Sequence, residues 1–433
     1  MPERIRAVTR PGRRAFQGEL TMDTNSRIAE PLAGDEPHGS GAEAARGLHR
    51  LDLKVRAEAV ATVAAEWAGA VDREARFPEE AFAALRAQRL LGITIPADLG
   101  GEGADLSDVV DICYRLGQAC SSTAMIYAMH QACLACLSRH GYDHPWHRAL
   151  LRRVAGEQLL LASSTTEGQG GGNVRSSAAP VEYTDTGIRL ERAATVISYG
   201  ERADAILTTA RRSADAPASD QVLVAFLKED YALEPLVGWD ALGMRGTCSS
   251  GFRLRAAGGA EQILPEPYER IHPQSMVPVS HLAWSATWAG IAAGAVERAR
   301  AFVRNAARHS GGTMPPGAAH FTRATASLRT LRGLIASSLR AYERIAGDAQ
   351  ALGALEFQAM MNLTKVEASE LAVAIVMGAA RVCGLAGYRN DSEFSIGRPL
   401  RDVLSSPIMI SNDRILGNLA GTMLMAAVPA GIE

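Results

Sequence analysis

The stretch Val181-Glu182-Tyr183-Thr184-Asp185-Thr186-Gly187-Ile188-Arg189-Leu190 sets the architecture. Two short apolar-alternating runs flank Thr184-Asp185-Thr186-Gly187, a set of residues suited to a tight turn, so the segment reads as a hairpin. Ile206-Leu207-Thr208-Thr209 and Val222-Leu223-Val224-Ala225-Phe226-Leu227 follow, with Pro-containing loops between them. Phe252-Arg253-Leu254 alternates before Gly258-Gly259. Several short strands with turns between them predict a small β barrel or sandwich over residues 159–275. On either side the apolar period becomes that of a helix. In residues 49–158, Pro78 opens a helix whose apolar positions are Phe82, Leu85, Leu90 and Leu91. Pro96 and Gly100-Gly101 break the pattern, and Asp105 or Ser107 caps the next helix. In residues 276–433, Leu328, Leu331, Ile335, Leu339, Tyr342 and Ile345 share one face, and Phe357 to Cys383 is a second long helix. Long helices with two-sided burial predict a four-helix bundle that also packs against other subunits, as a homo-oligomer. The predicted class is α+β multidomain: an N-terminal helical domain, a β domain and a C-terminal helical bundle.

The 433 residues are 47% apolar and carry 45 Lys and Arg against 47 Asp and Glu, a net charge of −2. That length supports two or three domains, and the charge gives no electrostatic case for a nucleic-acid or anionic-membrane partner. The six cysteines lie mostly in apolar runs and read as free thiols in a reducing, cytoplasmic compartment. In residues 1–48, five arginines from Arg4 to Arg14 have no apolar segment behind them, so a disordered tail is expected and a secretory signal is not. Met22 is an alternative start. Residues 116–138 carry no formal charge and have the length of a membrane span. Their Gln118, Ser121, His130 and Gln131 instead predict a helix buried inside a domain, with no span.

Few motifs announce chemistry by themselves. Thr165-Thr166-Glu167-Gly168-Gln169-Gly170-Gly171-Gly172-Asn173 lets backbone approach a ligand closely, but it lacks a phosphate-loop lysine, and alone it reads as a surface loop. His130, Cys133, Cys136 and His140 have no second ligand pair elsewhere, so no metal site is expected. Trp284 and Trp288 stand one turn apart in an apolar helix, and core packing is their default role.

Taken in order, however, a set of segments from about residue 50 to 425 resembles the acyl-CoA dehydrogenase superfamily. Ile95-Pro96-Ala97-Asp98-Leu99-Gly100-Gly101 resembles its P-x-x-x-G-G turn, and residues 165–173 its flavin loop. Val196-Ile197-Ser198-Tyr199-Gly200 stands where the family has W-I-T-N-G. Leu242-Gly243-Met244-Arg245-Gly246-Thr247 matches L-G-M-R-G-T. Gly384-Leu385-Ala386-Gly387-Tyr388, then Arg398 to Asp402, resembles G-G-x-G-Y/F followed by R-x-x-R-D.

The resemblance implies FAD. It places Thr166, with Ser163 and Thr165 nearby, toward the isoalloxazine edge, and Ser198 near the flavin N5. Gly172 replaces the serine that meets the pyrophosphate, and Val196 replaces a tryptophan beside the ring. Arg308 resembles the arginine that reaches a neighbouring subunit's FAD. Arg381 and Gly384 stand by the adenosine-diphosphate part, and Asn412 and Arg414 at polar contacts to the cofactor.

The family's catalytic carboxylate is missing. Ile410 stands at the usual glutamate position, and Thr287 at the alternative one on the first bundle helix. A base for an α proton must come within hydrogen-bond reach of it. Asp413, three residues on, and His130 are the substitute candidates. Three functions are therefore expected, in order. The first is an FAD-dependent dehydrogenase of an acyl thioester carried by coenzyme A or a carrier protein, with a separate electron acceptor. The second is a flavin-dependent monooxygenase using oxygen, and the third a non-catalytic thioester-binding protein. As a dehydrogenase or monooxygenase the chain would be a dimer or tetramer.

Overall fold

The computed structural model describes residues 40–167 and 175–425. Its internal contacts separate Met1–Gly47 from Leu48–Glu433. Of the first unit only residues 40–47 are described, and they are already helical. Of the tail expected over residues 1–48, the first 39 residues lie outside the described ones.

Among the described residues five α-helices form the N-terminal part: α1 (Ser40–Glu74), α2 (Glu79–Ala87), α3 (Leu106–Ala119), α4 (Ser121–His140) and α5 (Pro145–Glu157). Asp105 caps α3, and its N–H donates to the Asp108 carboxylate at 3.1 Å, so the third helical residue reaches back to the cap. The uncharged run at 116–138 is two helices, because Cys120 adopts extended φ/ψ between α3 and α4. Helix α4 is buried nearly all round, as expected of a helix walled in by other elements.

Among the described residues the middle part holds seven strands: β1 (Leu161–Ser164), β2 (Glu182–Thr184), β3 (Gly187–Ala194), β4 (Ala205–Arg211), β5 (Gln221–Leu227), β6 (Tyr231–Val237) and β7 (Gly251–Gly258). They make two sheets, β1-β4-β5 and β2-β3-β7-β6. The hairpin at 181–190 forms in register, with Glu182 opposite Arg189 and Thr184 opposite Gly187. In β3 the alternation buries Ile188, Leu190, Arg192 and Ala194. Arg192 is a cation at a core position. Its terminal nitrogens meet the Ser164 carbonyl at 2.9 Å, Thr208 Oγ1 at 2.9 Å and the Glu167 carboxylate at 3.5 Å.

Helix α6 (Tyr268–Ile271) runs through one π turn into α7 (Val277–His309). Helices α8 (Ala318–Ile345), α9 (Ala349–Gly353), α10 (Leu355–Tyr388), α11 (Gly397–Val403) and α12 (Asn412–Met425) follow. The long helices α7, α8 and α10 pack on one another and α12 on α10, which gives the expected bundle. Helices α3 and α4 pack against α7, so helical parts from both ends of the chain share one core. Helix α10 is long and apolar enough, by length and composition, to cross a membrane. Its inner face, from Phe357 to Cys383, is core of the bundle. It bends at Gly384, whose φ of +53° and ψ of −133° lie outside helical space.

Candidate functional site

A cavity of about 400 Å³ opens where four segments meet. Helix α4 supplies Met125 and Met129, and the turn after β3 supplies Val196 and Ser198. The segment between β6 and β7 supplies Trp239, Leu242, Met244, Thr247 and Ser249, and the chain around and after α11 supplies Arg401, Leu404, Ser405, Ile408 and Met409.

The L-G-M and R-D motifs build its back wall together. The Asp402 carboxylate, buried, accepts the Met244 N–H at 2.7 Å. Arg401 pairs with Asp72 of α1 and donates to the Leu242 carbonyl at 2.9 Å. The two backbones touch: a Cβ on Gly243 would lie 2.1 Å from the Arg401 carbonyl oxygen. Only glycine allows that approach.

The polar part of the lining is a chain of hydroxyls. Ser198 and Ser249 Oγ lie 2.8 Å apart, Ser249 Oγ and Thr247 Oγ1 2.7 Å apart, and Thr247 donates to the Met244 carbonyl at 2.8 Å. Ser249 lies just beyond the L-G-M-R-G-T segment, and sequence reasoning missed it. Strain gathers here too. Tyr199, Met244, Cys248 and Ile410 all have positive φ, at 44°, 53°, 45° and 49°. Such residues cost about 1–3 kcal/mol each and cluster at ligand clamps.

The flavin-loop residues are only partly placed. Ser163 lies on β1, and Thr165 and Thr166 follow it half-buried, outside the cavity lining. Their anchor is Glu167, which accepts the Ala178 N–H at 2.6 Å and pairs with Arg192. Arg192 in turn donates to the Thr166 carbonyl at 3.0 Å. Burial pulls Arg192 down to about 10, and Glu167 opposes it. Gly172 lies outside the described residues.

The substitute bases fare differently from expectation. The buried His130 accepts the Leu161 N–H on Nδ1 at 3.0 Å, while Nε2 bonds the Leu91 carbonyl at 2.8 Å. Both nitrogens are spent, and burial lowers the ring to about 4. The histidine ties α4 to β1 and has no lone pair to offer an α proton. Asp413 is exposed in the first turn of α12, off the cavity lining, where it complements the helix dipole. At the two family base positions, Thr287 is buried and donates to the Ala283 carbonyl at 3.0 Å, and the Ile410 carbonyl accepts from Lys365 at 2.9 Å. No Asp, Glu or His stands among the described residues that line the cavity.

The remaining candidates are peripheral to it. Asn412 is buried and used inside the protein: it accepts from Lys365 at 2.7 Å and donates to Ser369 and Glu370. That is a structural role and not an open cofactor contact. Arg308, Arg381, Gly384 and Arg414 are exposed on the C-terminal helices. Arg308 lines a second hollow of about 280 Å³ with Arg304 and Asn305. Trp288 is fully buried beneath Lys365 and Trp284 packs beside His281; neither lines the cavity. All six cysteines are free.

Helices, a hydroxyl-bearing β part and a helical bundle around one apolar cavity define an acyl-CoA dehydrogenase fold. Family models match residues 51–157 as the acyl-CoA dehydrogenase N-terminal domain and residues 274–421 as the C-terminal domain, and the chain belongs to this family. It is similar to the amino sugar nitrososynthase DnmZ of Streptomyces peucetius, 26% identical over 354 residues that cover 78% of this chain and 84% of the relative. It is also similar to a dibenzothiophene monooxygenase of Mycolicibacterium goodii, 26% identical over 303 residues that cover 67% and 71%. Among solved structures, KijD3 in complex with FMN and dTDP-3-amino-2,3,6-trideoxy-4-keto-3-methyl-D-glucose aligns with a TM-score of 0.75 at 22% identity, over 88% of this chain and 95% of that one.

Proposed function

We propose that this chain is a flavin-dependent oxidoreductase of the monooxygenase kind, acting on an electron-rich and largely apolar substrate. This reading exchanges the first and second expectations from sequence. One observation carries it: the described lining of the cavity offers no carboxylate or imidazole to take an α proton. Dehydrogenation of an acyl thioester needs such a base within reach. Oxygen transfer to a nitrogen, sulfur or aromatic carbon does not. The names of the similar nitrososynthase and dibenzothiophene monooxygenase support the same direction.

The cavity suits a flavin ring. Met125, Met129, Val196 and Met244 offer an apolar surface to its face, and Ser198, Thr247 and Ser249 offer hydroxyls to its polar edge. A bound reduced flavin supplies the two electrons with which oxygen places one atom on a substrate and releases the other as water. The chain's part is to bind and orient both molecules and to keep water away. Trp239, Leu242, Leu404 and Ile408 give the apolar walls for that. The flavin carried over from the family is FAD, whose adenosine part would lie toward Arg381 and Gly384, while Arg308 would reach a neighbouring subunit's FAD. The homo-oligomer belongs to the same proposal, supported by the apolar Met377, Leu385, Tyr388 and Leu424 exposed on α10 and α12. So does a cytoplasmic setting, supported by the free thiols.

The test is to give the purified protein oxidised flavin under nitrogen, then a panel of acyl thioesters, and in parallel reduced flavin, oxygen and a panel of amines, thioethers and indoles. The proposal expects no bleaching by thioesters and oxygen-dependent product in the second arm. Bleaching by a thioester without oxygen overturns it in favour of the dehydrogenase.

A further inference from the structure

The segment between α11 and α12 forms a wall of the cavity without being a helix or a strand. Leu404, Ser405, Ile408 and Met409 face the cavity, yet Ile408 is 75% exposed and little protein covers the segment from outside. At its end Ile410 holds φ at +49°, a conformation a β-branched residue adopts only under constraint. The constraint comes from within. Lys365, buried in the middle of α10, donates to the Ser406 carbonyl at 3.1 Å, the Ile410 carbonyl at 2.9 Å and Asn412 Oδ1 at 2.7 Å. An ammonium has three protons, and all three go to the beginning, the turn and the end of one loop. Asn412 is held in turn by Ser369 and Glu370 of α10. Trp288 of α7 closes the other side, its ring centre 5.6 Å from Nζ. A lysine in an apolar core is costly unless it is paired or hydrogen-bonded, and here every bond it makes goes to placing 406–412.

We propose that Lys365 is a positioning residue of the candidate site: its buried ammonium fixes the loop 406–412 and so sets the place of Ile408 and Met409 over the cavity. It does not itself line the cavity. The inference rests on the proposed function only in calling the cavity a flavin site.

The test compares wild type, Lys365→Met and Asn412→Leu in the full chain. Amide hydrogen exchange is followed in peptides covering 404–412, and binding of oxidised FMN and FAD by fluorescence quenching. Each variant should speed exchange in 404–412 at least roughly tenfold, as expected when a local opening loses more than about 1.4 kcal/mol. Exchange in α7 and in the first turns of α10 should change little, and flavin affinity should fall. Adding Ile410→Gly to Lys365→Met should restore part of the protection, because the turn then needs no clamp. A role confined to core stability would raise exchange evenly across the bundle and would not respond to Ile410→Gly, and that pattern overturns the proposal. So does unchanged exchange in 404–412 in either folded variant. If Lys365→Met does not fold, Asn412→Leu alone decides. Wild type that binds no flavin contradicts the proposed function, while the exchange pattern still judges Lys365.

Discussion

Replacing His130 by alanine removes the pin between α4 and β1. The imidazole satisfies the Leu161 N–H at 3.0 Å and the Leu91 carbonyl at 2.8 Å in a site closed to water. Its loss leaves the Leu91 carbonyl with the Gln131 amide at 3.2 Å but orphans the Leu161 N–H, at a cost of roughly 1–3 kcal/mol. That is a large share of the ~5–15 kcal/mol by which folded proteins are stable. The assay is urea denaturation of the full chain, read by circular dichroism and tryptophan fluorescence, with amide exchange at Leu161 as the local report. The expected result is an early loss of protection at β1 and a midpoint shift of that size. A variant as stable as wild type whose turnover collapses would overturn the structural role and return His130 to the chemistry.

Acid should unfold the protein sooner than its surface charge suggests. Burial lowers His130 and His147 to about 4 and His281 to about 3, against an ordinary value near 6.5. Between those values the unfolded chain binds more protons. The stability from these neutral rings is therefore whole above pH 6.5 and is lost as pH falls through 4, at about 1.4 kcal/mol per ring for each pH unit crossed. Thermal midpoints measured from pH 7 to pH 4 should fall steeply, and a flat profile would show those rings to be open to solvent. Ser249→Ala, which breaks the hydroxyl chain at its middle, should weaken flavin binding by roughly three- to tenfold, the worth of about one hydrogen bond. A flavin titration checks it, and an unchanged dissociation constant would remove the chain from the site. Glu167→Gln leaves the Arg192 guanidinium buried without a counter-charge and should cost on the order of 3–5 kcal/mol, measurable by denaturation. Gly243→Ala forces the Arg401 backbone away and should lower flavin affinity more than stability, which the same two assays separate.

The layer order was legible because period is legible. An alternating strand at 187–194 and a continuous apolar run at 222–227 stand between helices of period near 3.6, and both sheets form where those runs lie. Resemblance names Ser198 and Val196 as site residues, and both line the cavity; the L-G-M-R-G-T segment reads only as a family motif, though four of its residues line it too. What stayed hidden depends on direction, which spacing does not encode. His130 and Met129 are neighbours on α4, yet one faces backbone and the other the cavity. Asn412 looked like a cofactor contact because its partner, Lys365, lies 47 residues earlier in the chain. Lys365 did leave a trace, as a cation in the apolar run of α10, and so did Arg192 in the alternation of β3. A charge at a core position is a question about its partners, and both charges turned out to hold loops beside the site.

The fate of oxygen separates monooxygenase from dehydrogenase in a single experiment. The protein is supplied with reduced flavin, an accepted amine, thioether or aromatic substrate and isotopically labelled oxygen, and the product is weighed by mass spectrometry. A monooxygenase leaves one labelled oxygen atom, or a whole number of them, in each product molecule, and forms no product under nitrogen; that is the result expected. A product that carries oxygen from water, or a desaturated thioester formed without any oxygen, contradicts it.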